Sequence, residues 1–240
     1  MTLPRPVRLT LLLLSALSAQ EAEPGSPAPQ RVLVVGDSMM RVPAHAIELQ
    51  LARLGDDAVE SRAFTRLGSG LARLDAFDWM EKLDELVEDF RPTLTIAWFG
   101  ANDRQPMRTD NGIIRPGSDE WSDEYARRVG LAMDTLTAPG DARVLWLELP
   151  DMREASMQED ARAINELVRT EADQRDRVSV YSTRTILSRQ PGTFTMHIAG
   201  PTGMPIQIRD RDGVHLNRAG ADWLAEALVE MIAESGSGRR

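Results

Sequence analysis

The sequence predicts a three-layer α/β domain built on a central parallel sheet. Two observations carry this: short β-branched apolar runs recur along the chain, and stretches of helical periodicity long enough for crossovers lie between them. The first run, 31–36 (Arg-Val-Leu-Val-Val-Gly), is apolar throughout its middle, as expected of a strand covered on both faces. A helical pattern follows at 44–54, and a weaker strand candidate at 59–64. Then come a helix at 78–90, a strand at 93–99, a helix at 119–136, a strand at 143–149, a helix at 159–173 and a strand at 178–181. Two alternating runs, 192–199 and 204–209, flank Gly200-Pro201-Thr202-Gly203 and predict a small β-hairpin inserted into the parallel core. The final helix has Asn217 as its cap and Leu224, Leu228, Met231 and Ile232 along one stripe.

The chain has 240 residues, 42% hydrophobic and 27% charged, which fits one domain of ordinary size and excludes wholesale disorder. Arg5 and Arg8 precede an apolar run at 9–17, and Ala16, Ser18 and Ala19 supply small residues, so 1–19 has the layout of a secretory signal peptide. The run is too short to span a bilayer; cleavage after Ser18 or Ala19 and retention as an N-terminal anchor both stay open. Residues 20–30 are a Pro- and Glu-rich flexible linker, 31–234 the domain, and 235–240 a disordered Gly/Ser/Arg tail. A periplasmic or secreted protein, with no stable membrane span after cleavage, is expected.

Lys+Arg 28 against Asp+Glu 37 gives a net charge of -9, and loss of Arg5 and Arg8 would take it to -9 - 2 = -11. That balance disfavours nucleic acid and anionic lipid surfaces as partners. Cysteine is absent, which excludes disulfides, thiolate zinc sites, iron–sulfur clusters and cysteine nucleophiles. His45, His197 and His215 are the whole supply of imidazole.

Ligands of open parallel sheets bind outside the carboxyl ends of the strands. There the sequence places Gly36-Asp37-Ser38, Gly68-Ser69-Gly70 and Gly100-Ala101-Asn102-Asp103, with Asp212-Gly213-Val214-His215 just before the last helix. Each alone reads as a turn or a helix cap. Together they supply the parts of acyl transfer. A serine hydroxyl is a weak nucleophile until an imidazole takes its proton, and the imidazole needs a carboxylate to fix its tautomer; Ser38, His215 and Asp212 fit those roles. The charge on a tetrahedral intermediate needs preorganised donors, and the backbone N–H groups of Ser38 and Gly70 with the Asn102 amide fit that one.

Gly36-Asp37-Ser38-Met39, Gly70, Gly100-Ala101-Asn102-Asp103 and Asp212-Gly213-Val214-His215 resemble, in order, the four sequence blocks of the SGNH hydrolases, or GDSL esterases and lipases. The resemblance implies a flavodoxin-like α/β/α sandwich, a catalytic triad of Ser38, Asp212 and His215, an oxyanion hole of Ser38, Gly70 and Asn102, and a mechanism without metal or cofactor. Met39 stands where the family has leucine, a volume-conserving swap. In the second block Gly68 and Gly70 both qualify, and Gly70 is preferred because Leu71-Ala72 follows it.

The implied activity is an exported serine esterase acting on a small-molecule or polysaccharide ester, such as O-acetyl groups of cell-envelope polysaccharide or peptidoglycan. An O-acyltransferase with the same triad and a non-catalytic carbohydrate-binding or assembly module are the alternatives. No Gly-x-Ser-x-Gly elbow and no Gly-Lys phosphate loop occurs, the single lysine being Lys82 after Glu81. His45 reads as a surface or packed residue and His197 as a solvent-facing strand position. Trp98, Trp121 and Tyr125 are candidates for a wall of the cleft, with core packing the other reading of Trp98. Asp37 is expected to brace its loop, and Asp103 and Arg104 to fix the Asn102 turn.

Overall fold

The computed structural model describes residues 30–55 and 58–237. The expected export signal and the linker up to residue 29 lie outside the described residues. In chain order the elements are β1 (Gln30–Gly36), α1 (Arg41–Ala52), β2 (Val59–Thr65), α2 (Trp79–Phe90), β3 (Leu94–Trp98), β4 (Met107–Thr109), β5 (Gly112–Ile114) and α3 (Asp119–Thr137). They continue with β6 (Arg143–Leu147), α4 (Ala155–Ala172), β7 (Val178–Tyr181), α5 (Arg184–Leu187), β8 (His197–Ala199), β9 (Pro205–Gln207) and α6 (Arg218–Ser237).

Five strands form one sheet in the order β2-β1-β3-β6-β7, every neighbouring pair parallel. Helix α1 packs on α6, and α2, α3 and α4 pack in series, giving the outer layers of the expected sandwich. Burial explains which strands are easy to read. Val32, Leu33, Val34 and Val35 of β1 are fully buried, whereas β2, at the edge, has only half-buried and exposed residues. Trp79, Phe99 and Trp146 form an aromatic chain through the core, Trp79 meeting Phe99 edge to face at 4.7 Å.

Local chemistry sets the helix ends. The Asp78 carboxylate accepts the N–H groups of Met80 and Glu81 at the start of α2, Ser118 accepts that of Trp121 at the start of α3, and Asn217 Oδ1 accepts that of Gly220 ahead of α6. Leu224 and Leu228 are fully buried on the α6 stripe. Helix α1 starts at Arg41, earlier than its apolar pattern suggests, because Pro43 falls in the first turn where a missing N–H is harmless. Helix α4 starts at Ala155, ahead of its own pattern, because its first two residues are exposed and carry no apolar stripe, and α6 runs to Ser237, past the last expected domain residue.

The inserted hairpin is present as β8 and β9, paired from His197↔Gln207 to Ala199↔Pro205. A second hairpin, β4–β5, was not foreseen; it turns at Asp110-Asn111, and its strands of three residues are too short to show an alternation. Among the described residues no helix is long and apolar enough to cross a membrane.

Candidate active site

The strand order reverses at β1, with β2 on one side and β3 on the other, and a crevice opens at such a switch point. Ser38 lies in the turn that leaves β1, and the Asp212–His215 turn meets it from 177 residues away: Ser38 Oγ is 2.8 Å from His215 Nε2. His215 Nδ1 is in turn 2.6 Å from Asp212 Oδ2. The other carboxylate oxygen of Asp212 accepts the N–H groups of Val214 and His215, at 2.8 and 3.0 Å, so one aspartate both folds the turn and faces the imidazole. Partial burial pushes the Asp212 carboxyl up, but the bonds from the His215 ring and the two N–H groups outweigh it and hold the group below the usual carboxylate range. Such a chain can move a proton from hydroxyl to imidazole while a carboxylate stabilises the imidazolium.

Two buried aspartates fix the surrounding loops. Asp37 accepts the N–H groups of Met39 and Gly100, each at 2.8 Å, tying the loop after β1 to the loop after β3. Asp103 accepts the N–H groups of Leu71 and Ala72 at 3.0 Å and the Tyr125 hydroxyl at 2.8 Å, tying the loop after β3 to the loop after β2. Asp103 therefore reaches away from the Asn102 turn that it was expected to fix. Arg104 also points elsewhere, to Asp160, and it is Gln105 whose side chain donates to the Asn102 carbonyl. Burial, and next the charge of Asp103, raises the Asp37 carboxyl to about 7; burial raises Asp103 as well.

The aspartates take up neighbouring N–H groups and leave others over. Among the described residues no acceptor takes the backbone N–H of Ser38 or of Gly70, or the side-chain amide of Asn102. The two candidate glycines differ. Gly68 is exposed, with open space around it; Gly70 is buried, and a Cβ on it would lie 1.9 Å from Asp103 Oδ1. Gly70→Ala should therefore displace the carboxylate that holds the Leu71 and Ala72 amides and shift the Gly70 N–H. If that N–H is an oxyanion donor, kcat falls by ~10²–10³ while the protein stays folded by circular dichroism. A loss below about 3-fold would put the donor elsewhere.

A cavity of about 170 Å³ opens beside Ser38 and His215, with Met39, Val42, Leu67 and Leu216 in its walls. Val42 and Leu67 carry no motif and were invisible in the sequence; the one signal was their place just after β1 and β2. Trp121 and Tyr125, candidates for the cleft wall, are instead fully buried, because the stacked pair faces inward and the Tyr125 hydroxyl is needed by Asp103; Trp98 is fully buried too, in line with the core-packing reading, and donates to the Glu148 carbonyl. His45 and His197 are exposed, on α1 and β8. Among the described residues no group of three or more His, Asp or Glu could hold a metal ion.

Over residues 31–231 the sequence matches the family described as "Protein of unknown function (DUF459)". The chain belongs to DUF459. The match runs from β1 into α6, so every loop of the candidate site lies inside the DUF459 region. No curated protein sequence matches this DUF459 chain. Among solved structures, a protein described as an SGNH hydrolase from Slackia heliotrinireducens shares 17% identity over 85% of this chain and 99% of that one, with a TM-score of 0.53. The C-terminal catalytic domain of peptidoglycan O-acetyltransferase A from Streptococcus pneumoniae shares 11% over 88% and 97%, at 0.51. A carbohydrate esterase shares 15% over 87% of this chain and 66% of its own, at 0.52. The DUF459 domain thus has the fold of the SGNH hydrolases.

Proposed function

We propose that this DUF459 protein is an exported serine esterase that hydrolyses short-chain carboxylic esters through an acyl-enzyme. The observation that carries the reading is the unbroken hydrogen-bonded chain from Ser38 Oγ through the His215 ring to Asp212. Ser38 Oγ attacks the ester carbonyl as His215 Nε2 takes its proton, and the oxyanion is met by the N–H groups of Ser38 and Gly70 and the Asn102 amide. The C–O bond to the alcohol then breaks, the leaving oxygen takes the proton from His215, and the acyl group stays on Ser38. Water attacks that acyl group, giving its proton to His215, and the acid leaves as Ser38 is reprotonated.

The size of the cavity supports a short acyl group, because drug-sized ligands need roughly 300 Å³ or more and this one offers about 170 Å³. We expect kcat/KM for p-nitrophenyl acetate to exceed that for the octanoate by ~10-fold or more; the reverse order would assign the site to lipid. The acidic chain and the signal-like N-terminus support an ester met outside the cytoplasm, and the fold shared with a peptidoglycan O-acetyltransferase and a carbohydrate esterase supports O-acetylated envelope polymers.

The test is fluorophosphonate labelling followed by peptide mass spectrometry, with acetate release measured on O-acetylated peptidoglycan. Labelling at Ser38 and release without any acceptor are expected. Absence of label in folded protein would favour a non-catalytic binding module, and acetyl groups that leave the polymer only onto an added sugar acceptor, with no free acetate, would favour a transferase.

A further inference from the structure

Behind the Asp212–His215 turn the chain buries a cation. Arg209, just past β9, is fully buried, with no ion pair among the described residues and no partner for its Nε. Desolvating a guanidinium without a counter-ion is costly, and burial lowers this one to about 10 despite the pull of Asp212 and Asp151. Its contacts show what it offers in return. Nη2 donates to the carbonyls of Val214 at 2.8 Å and Gly213 at 3.2 Å, Nη1 donates to the carbonyl of Asp151 at 2.9 Å, and the guanidinium lies 5.1 Å from the centre of the Phe194 ring.

A second arginine holds the same turn from outside. The main-chain N–H of Arg153 donates to the Gly213 carbonyl at 3.3 Å, its Nη1 donates to the Arg211 carbonyl at 2.7 Å, and its guanidinium lies 5.1 Å from the same Phe194 ring. Gly213 has φ +77° and no room for a side chain, since a Cβ there would lie 2.6 Å from Arg153 Cβ. Both arginines are anchored on the loop after β6. Asp151 in that loop is itself held by Gln158, Ser188 and the Gly192 N–H. The carbonyls of residues 211, 213 and 214 are thus bound to a fixed part of the scaffold.

We propose that Arg209 and Arg153 are positioning residues that clamp the Asp212–His215 turn against the loop after β6, so that the imidazole faces Ser38. The consequence for rate rests on the esterase reading; the consequence for the His215 ring does not. Without the clamp the turn can still form, because Asp212 accepts its own backbone N–H groups and the Asp210 N–H donates to the His215 carbonyl, but the turn loses its side-chain ties to the loop after β6 and with them part of what sets its distance from Ser38.

The experiment compares the full chain with Arg209→Met, which keeps most of the side-chain volume, and Arg153→Ala, which alters an exposed side chain. Misplacement of a reacting group by about 1 Å costs ~10²-fold. Arg209→Met should therefore lose ~10²-fold in kcat with KM within about 3-fold, and Arg153→Ala about 10-fold in the same direction. Proton NMR of ¹⁵N-histidine-labelled protein supplies a readout independent of turnover: the downfield Nδ1–H signal of His215, identified by its loss in His215→Gln, should broaden or vanish in both variants. Folded variants with unchanged kcat and an unchanged His215 signal would overturn the proposal and leave the esterase reading standing. A wild type without esterase activity whose His215 signal is nonetheless lost in the variants would overturn that reading and leave the clamp standing. If Arg209→Met fails to fold, Arg153→Ala decides alone.

Discussion

Replacing Ser38 with alanine should cost on the order of 10⁶-fold in kcat toward p-nitrophenyl acetate, with almost no change in stability. Two facts set the contrast. The Ser38 hydroxyl has one hydrogen-bond partner among the described residues, His215 Nε2, and that ring is about one-third exposed and can turn to water. The backbone is braced independently through Asp37, which accepts the Met39 and Gly100 N–H groups whatever side chain residue 38 carries. Loss of one partly solvated hydrogen bond is worth about 1 kcal/mol, so thermal unfolding should move by a few degrees at most. Activity, by contrast, loses its nucleophile, and the remaining donors and imidazole can only assist water. A rate reduced less than 10-fold in a preparation free of wild type would show that the ester is attacked by something other than Ser38.

The same local rigidity decides how much of the site could be read in the sequence. Asp212 and His215 were legible through the ordered set of four segments and not on their own, and the structure shows why so short a spacing suffices: an aspartate that accepts N–H groups two and three residues ahead brings its carboxylate alongside the third side chain. Val32–Val35 was legible because a strand buried on both faces has no polar residue to interrupt it. Contacts made across the sheet left no such trace. Asp103 reaches the Leu71 and Ala72 amides more than 30 residues back, and only a fold can bring those loops together.

Periodicity is silent on Arg209 for a different reason. Alternation along β9 turns Ile206 and Ile208 inward and would assign Arg209 to solvent, yet Ile208 and Arg209 are both fully buried. The strand ends at Gln207 and Arg209 bridges to Leu216, so alternation no longer applies at Arg209. Trp121 and Tyr125 teach a related lesson. Their four-residue spacing on α3 predicts that they meet, and they stack at 5.1 Å, but spacing cannot say whether the shared face looks into a cleft or into the core.

Asp212→Asn should lose ~10⁴-fold in kcat with KM nearly unchanged, because the substitution reverses a tautomer without moving a loop. Oδ1 of residue 212 accepts from Val214 and His215, and an asparagine keeps that oxygen in place, so the turn stays folded. The other position then becomes an NH₂ facing His215 Nδ1. A donor there forces Nδ1 to accept, which places the ring proton on Nε2, and an Nε2–H cannot take the Ser38 proton. The wild-type carboxylate avoids this because its bonds hold it below the usual carboxylate range, so at neutral pH it is ionised and only accepts. It also loses its stabilisation of the imidazolium in the variant, and both effects fall on the transition state and not on substrate binding, hence the split between kcat and KM. The measurement is steady-state kinetics on p-nitrophenyl acetate at neutral pH, with circular dichroism to confirm the fold. A loss of less than 10-fold would mean that the 2.6 Å contact between Asp212 and His215 orients nothing, and the base would then have to work as a simple Ser38–His215 pair.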